Sequence, residues 1–369
     1  MQCTRCIMDN VGDDTIQFNE KGQCDYCSSA LKEKERVYFP NDTGKNKLTT
    51  LIERLKSENK DKSYDCIMGI SGGLDSSYLA YLGTVKWGLR ILAVHIDDGF
   101  DTEISIRNIE RISNFPNFDL KIIKPDEEQF TDLTKAYMKA GVPNLAVPQD
   151  NVLFASLYDF MRQNKIQTFL SGGNFALECI LVRGNTHHAY DLTNLMYIHK
   201  KFGTKPINKL HLISQLKRDI DSYLLKIESL RPLNLIDYNM ERAWKELTDY
   251  CGFEYYGGKH LENYLTKFIQ QYWFYKKFNV DKRKSHLSSM IISNQITRDQ
   301  ALELYNKPLY DEEDMKKTID FVLKKLNISH NEFNTLLNNP SHQHNDYPTS
   351  LYIGFKRNVK EMLHILKIA

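Results

Sequence analysis

Short apolar runs alternate with longer helix-compatible stretches between Tyr64 and Ser171. Asp65–Ile70, Ile91–Ile96, Leu120–Lys124 and Ile166–Leu170 read as buried strands, being short, apolar and bounded by polar or turn residues. Leu74–Trp87, Thr102–Phe115, Glu127–Ala140 and Asp150–Gln163 read as the helices between and beside them. Repeated strand–helix–strand units predict an α/β fold, a parallel doubly wound sheet with helices on both faces. Ligands of such sheets sit at the carboxyl ends of the strands. Before this region, residues 36–60 are charged and helix-prone and predict a connecting helix. After about residue 190 the texture turns helical, beginning with a basic, polar excursion over His199–Leu216. Thr297–Gln300 and Ser329–Glu332 fit capping boxes, and Met315, Ile319, Val322 and Leu326 share one helical face. His342 and His344 lie in a polar, turn-rich stretch that predicts a surface loop.

The 369 residues suffice for two or three domains. The expected division is a small module over 1–35, an α/β domain over 36–195 and a mostly helical region over 196–369. A formal net charge of +2 argues against a dedicated nucleic-acid binder, which shows a strong basic excess. No run is long and apolar enough to span a bilayer, and Met1–Cys6 shows no apolar signal-peptide core. The cytoplasm is the expected compartment.

Of seven cysteines, Cys3, Cys6, Cys24 and Cys27 form two C-x-x-C pairs, with seventeen residues between Cys6 and Cys24. Each pair sets two thiolates on one knuckle, and two knuckles complete a tetrahedral site. The expectation is structural Zn²⁺ in a ribbon-like module with a short strand at Thr15–Phe18, a redox or iron–sulfur role being the alternative. Cys66, Cys179 and Cys251 are isolated and read as buried.

The candidate chemistry centres on Ser71-Gly72-Gly73-Leu74-Asp75-Ser76-Ser77, where an apolar run breaks into a glycine turn and a helix start. Glycines let backbone approach an anion, and the helix adds unpaired N–H groups and its positive dipole end. Ser71, Ser76 and Ser77 add hydroxyls, and Asp75 is a candidate Mg²⁺ ligand. Further polar strand ends carry His95 and Asp97, expected near a nucleotide base and ribose, and Gly172-Gly173-Asn174 with Glu178. In the C-terminal half, Tyr255-Tyr256-Gly257-Gly258-Lys259-His260-Leu261-Glu262 and the stretch Lys276–His286, with Lys282, Arg283 and Lys284, suit a phosphorylated ligand.

Ser-Gly-Gly-x-Asp-Ser resembles the loop of the PP-loop ATP-pyrophosphatase (adenine nucleotide alpha hydrolase-like) superfamily. Members cleave ATP between the α and β phosphates. Together with the paired C-x-x-C, Gly-Gly-Asn, Tyr-Gly-Gly-Lys-His-x-Glu and Asp-Lys-Arg-Lys-x-His-Leu-Ser-Ser, the chain is similar to N-acetyl sugar amidotransferases of bacterial surface-polysaccharide pathways. That resemblance implies Mg-ATP-dependent conversion of an acetamido group on a nucleotide-linked sugar to an acetamidino group, by adenylation of the amide oxygen and displacement by ammonia. Asp75, Asn174, Glu178, Lys259, His260, Glu262, Lys282 and Arg283 are the candidate catalytic residues. Nucleotide contacts fall to Ser71, Gly72, Gly73, Asp75, Ser76, Ser77, His95, Asp97, Gly172, Gly173, Lys282, Arg283 and Lys284.

Residue 2 is Gln and no cysteine sits in Gly-x-Cys-x-Gly, so neither common glutaminase pattern is present. Ammonia is therefore expected from a separate glutaminase resembling the histidine-pathway enzyme, with a cyclase-like companion. The alternative is a tRNA sulfurtransferase of the same superfamily. That reading wants paired cysteines in the ATP domain and a basic surface, whereas Cys66 and Cys179 are unpaired in sequence. A purely binding role leaves Asp75 and the loop serines unexplained.

Overall fold

A computed structural model describes residues 1–365. Its sheet has five strands among these residues: β1 (Cys66–Gly69), β2 (Ile91–Ile96), β3 (Phe118–Ile123), β4 (Thr168–Leu170) and β5 (Glu228–Leu230). The order is β3-β2-β1-β4-β5 and every pairing is parallel. Met68 lies opposite Ala93 on one side and Leu170 on the other. The chain runs outward from β1 through β2 to β3, then returns to the opposite flank of β1 to lay down β4 and β5. Connections after β1 and β4 therefore diverge, opening a crevice above these two strands.

Alternate side chains feed two cores, as the strand period of two requires. Cys66, Met68, Ile91 and Ala93 pack with Leu79, Tyr81, Phe115 and Leu247. Ile67, Leu92 and Val94 pack with Phe130, Tyr137, Leu157 and Met161 on the other face. Side-chain caps begin most helices; Asn41, Thr102, Asp126, Asn239 and Asn263 each accept a backbone N–H from the first turn. Thr297 and Gln300 complete a capping box, whereas Ser329 makes only its own half.

Departures from the sequence reading have local causes. The helix expected over Leu74–Trp87 is α-helical to Tyr81 and then widens to a π-turn over Leu82–Lys86. Residues 36–60 divide between the end of one helix, Asp25–Val37, and a second, Asp42–Glu58. β5 lies in the stretch expected to be helical. Thr15–Phe18 forms no strand, only a single bridge between Phe18 and Cys24. The basic 203–214 segment is no loose excursion: Asp132 accepts from the backbone of Thr204 (2.8 Å) and Lys205 (3.0 Å), and Asn151 from that of Ile213 (2.9 Å). His342 is exposed, but His344 is buried and stacks on His187 with centroids 4.3 Å apart.

All four clustered cysteines are fully buried, with sulfurs 3.8 Å apart for Cys3–Cys27 and 3.6 Å for Cys6–Cys24. Zn–S bonds of about 2.3 Å give a tetrahedron with edges of roughly 3.8 Å, so the cluster fits Zn²⁺. Backbone N–H groups of Arg5, Cys6 and Cys24 point at Cys3 Sγ and favour its thiolate. This module is bolted to the helix Arg283–Ile292. Lys284 Nζ lies 2.7 Å from both Asp9 oxygens, and the Ile7 N–H donates to Ser288 Oγ at 3.2 Å. No helix among the described residues is long and apolar enough to cross a membrane.

Candidate active site

Two cavities of about 190 and 460 Å³ meet above β1 and β4 and share Ser71, Ser76, Gly172, His260 and Glu262 as walls. Gly72 has φ +71° and a Cβ there would stand 2.5 Å from the Ser105 carbonyl oxygen, so the turn needs glycine. A Cβ on Gly73 would stand 2.5 Å from Glu262 Oε1. The helix Leu74–Tyr81 starts there without a side-chain cap. Its Leu74 N–H donates to the Tyr256 hydroxyl at 2.7 Å. Ser71 Oγ accepts from the Gly73 N–H and donates to Glu262 Oε1, both at 3.2 Å. Ser77 points inward, fully buried, and contributes no wall.

Lys259 anchors the smaller cavity. Its Nζ lies 2.5 Å from Asp75 Oδ2 and 3.1 Å from Glu178 Oε1, and His260 Nε2 reaches the same Glu178 oxygen at 3.4 Å. Burial works against the Lys259 cation, but Asp75 and Glu178 outweigh it and hold its pKa above the ordinary lysine value. Burial likewise opposes the Glu178 carboxylate, and Lys259 with His260 reverses the sign, leaving its pKa well below the usual range. Tyr238 donates to the other Asp75 oxygen. Both carboxylate oxygens of the expected Mg²⁺ ligand are thus engaged. Glu262 Oε2, in contrast, is buried and has no hydrogen-bond partner among the described residues. An unpartnered carboxylate oxygen is a candidate cation ligand, so Glu262 joins Asp75 as a residue that could hold a divalent cation.

His95 lines the larger cavity with both ring nitrogens committed, Nδ1 to the Ile70 carbonyl and Nε2 to Asp101 Oδ2, each at 2.9 Å. Both partners are acceptors, so both nitrogens carry protons. Burial disfavours that imidazolium, yet Asp101 and the carbonyl raise the pKa overall. Lys282 also lines this cavity and has no acceptor within hydrogen-bonding distance among the described residues; burial pushes its pKa down. The helix Tyr264–Phe268 passes into a π-turn over Ile269–Trp273, and the Ile269 and Gln270 side chains of that turn complete the wall. Such turns widen a helix locally and recur where ligands bind.

Gly172 and Gly173 line the smaller cavity, Gly172 packing against the backbone of Ser76. Asn174 does not: its side chain caps the helix Phe175–Glu178 through the Leu177 N–H at 3.0 Å. Asp97 pairs with Lys124 at 2.8 Å, which lowers its carboxyl pKa, and lines neither cavity. Arg283 turns to Asp281 (2.7 Å) and the Lys307 carbonyl (2.8 Å), while Lys284 serves the cysteine module. Of the three consecutive cations only Lys282 reaches the cleft, because each helical step rotates a side chain by about 100°. Tyr238 and Asp150 were not singled out from the sequence; Tyr256 and Asp101 lay in stretches that drew notice, but neither was assigned a role. No cysteine lines either cavity. Cys66 is buried in β1, and burial pushes the Cys179 thiol up to about 11.

What the arrangement offers is a polyanion seat: a glycine turn, a helix start and two hydroxyls where the cavities join, with Lys259 on the wall of the smaller cavity and Lys282 on that of the larger.

Residues 262–360 match the family model described as "LPS biosynthesis protein WbpG-like, C-terminal domain". A curated relative, the uncharacterised protein MJ1599 of Methanocaldococcus jannaschii, is 29% identical over 142 residues, covering 38% of this chain and 48% of its own. The chain thus spans about half the length of that relative. Among solved structures, NH3-dependent NAD synthetase of Campylobacter jejuni aligns with TM-score 0.28 and 15% identity over 50% of this chain and 84% of its own. NMN synthetase of Francisella tularensis aligns with TM-score 0.30 and 16% identity over 79% and 95%. Scores this low fix neither fold nor activity. The family match begins at Glu262, the residue whose carboxylate meets the Ser71 hydroxyl.

Proposed function

We propose that the chain is the synthetase subunit of an ATP-dependent amidotransferase acting on a nucleotide-linked N-acetyl sugar for bacterial surface polysaccharide. One observation carries the reading: the WbpG-like segment supplies Glu262 and Lys282 to the same cleft that the Ser71–Ser77 loop opens. In this reading the acetamido oxygen attacks the α-phosphorus of ATP, forming the O–P bond as the bond to pyrophosphate breaks. As the O–P bond forms the amide nitrogen gives up its proton; ammonia then adds to the amide carbon, releases one proton and expels AMP, leaving an amidine. The loop N–H groups, Ser71 and Ser76 hold the phosphates, and Lys259 and Lys282 offset the charge gathered on the leaving pyrophosphate. Glu262 and Asp75 would hold Mg²⁺, which would supply charge to offset that of the triphosphate. No side chain need act as nucleophile, in keeping with a cleft whose walls include no thiol. Ammonia comes from a separate glutaminase with its cyclase-like companion, and the work is done in the cytoplasm.

The test is product mass spectrometry with Mg-ATP, concentrated ammonium and a panel of nucleotide-linked N-acetyl sugars, beside bulk tRNA with a sulfur donor. A sugar lighter by the difference between O and NH, with AMP and pyrophosphate released, is the expected result. A tRNA nucleoside heavier by the difference between S and O overturns the reading.

A further inference from the structure

Beside the cleft, a further cavity of about 200 Å³ lies along one face of β4 and β5, beneath the helix Val147–Asn164. Helix Val147–Asn164 gives it Phe154 and Tyr158, β4 gives Phe169, and Arg231 follows directly on β5 at its exposed mouth. The aromatic lining is continuous. Phe154 meets Phe169 edge-on with centroids 6.3 Å apart and Tyr190 at 5.1 Å. Arg218 lies over the Tyr190 ring at 4.4 Å and donates from Nε to the Tyr158 hydroxyl at 3.1 Å.

Neither Arg218 nor Arg231 pairs with a carboxylate among the described residues, whereas Arg90, Arg107, Arg111, Arg162 and Arg283 all do. The Tyr190 face and the Tyr158 hydroxyl steady the Arg218 cation and Arg231 is exposed, so both carry a charge that no carboxylate neutralises. A guanidinium's planar fork matches phosphate oxygens two at a time, and the aromatic walls give a base apolar surface to lie against. The cavity is also joined to the cleft. Phe169 and Ser171 line both, and Arg231 Nε stands 4.0 Å from where a Cβ on Gly173 would lie.

We propose that this cavity is a second nucleotide subsite, seating the nucleoside diphosphate of the acceptor with its phosphates on Arg218 and Arg231 and its base among Phe154 and Tyr190. ATP occupies the cleft, and the sugar bridges the two across Ser171. The assignment of this ligand rests on the nucleotide-linked acceptor proposed above.

Calorimetric titration of the full chain with uridine, cytidine and adenosine diphosphates, each with and without a saturating non-hydrolysable ATP analogue, tests it. One of the diphosphates should bind equally well with the analogue present. Arg231→Gln and Arg218→Gln should each weaken it about ten- to a hundredfold, leaving the affinity for the analogue within about twofold of wild type. Arg231 is at the exposed mouth, so Arg231→Gln should keep the wild-type melting midpoint. Competition with the analogue, unchanged affinity in Arg231→Gln, or inorganic pyrophosphate binding as tightly as any diphosphate would overturn the subsite. If a diphosphate binds through these arginines but no amidated sugar ever forms, the subsite stands and the amidotransferase reading falls. If amidation proceeds with an unchanged KM for the sugar in Arg231→Gln, the subsite falls alone.

Discussion

Lys259 holds Asp75 and Glu178 close together at the head of a helix, and the cleft depends on that one cation. In Lys259→Met two half-buried carboxylates face each other with no ammonium between them, which should cost about 3 kcal/mol in urea unfolding at pH 7. The sign follows from Glu178. Its carboxyl pKa is depressed in the folded protein, so the stabilisation is present above the unfolded value and is lost as pH falls below it. The gap between wild type and Lys259→Met should therefore narrow below about pH 4; a gap that stays constant would mean that Glu178 is not held by Lys259. Gly72→Ala tests the turn separately. A Cβ pressed on the Ser105 carbonyl at a positive φ should lower stability by at least about 1 kcal/mol and abolish ATP-dependent pyrophosphate release. Near-wild-type melting with normal release would show that the turn tolerates a side chain.

The elements between these residues were legible to different depths. β1 and β2 announce themselves as continuous apolar runs because helices cover both faces. β3 begins two residues earlier than its apolar stretch, and β4 two residues later. β5 has only Glu228, Ser229 and Leu230, half-buried or exposed, so no hydrophobic pattern marks it; pairing with β4 makes it a strand. The glycine turns and Lys259–Glu262 carried their own signal, a residue type that backbone geometry or charge demands. Tyr238 and Arg231 carried none, since ordinary residues gain their roles only when distant segments meet. The loop after β2 supplies a further prediction. Asp98 is buried, and burial with Asp101 nearby raises its pKa to about 7. The folded state thus binds a proton that the unfolded chain releases near pH 4, and stability falls as pH rises from there to about 7. Asp98→Asn should gain melting temperature relative to wild type across that window, and no gain at pH 8 over pH 4 would refute the assignment.

On the scale of the whole molecule, the helix Arg283–Ile292 couples the cysteine module to the cleft. One side holds Asp9 and Ile7; the other meets the helix bearing Glu178, with Ser289 Oγ accepting from the Ile180 N–H at 2.9 Å. Its preceding residue is Lys282, in the larger cavity. Stripping metal with a chelator should accelerate hydrogen exchange over residues 1–35 and 283–292 together while β2 and β3 stay protected. Acceleration in 1–35 alone would show that the helix does not depend on the module. The same contacts set a timetable. During synthesis the cysteines leave the ribosome roughly 280 residues ahead of the helix they rest on, a delay on the order of tens of seconds at ordinary elongation rates. For that interval four reactive thiols have no protein surface to shelter them, so a metal ion captured at birth is their earliest protection against oxidation.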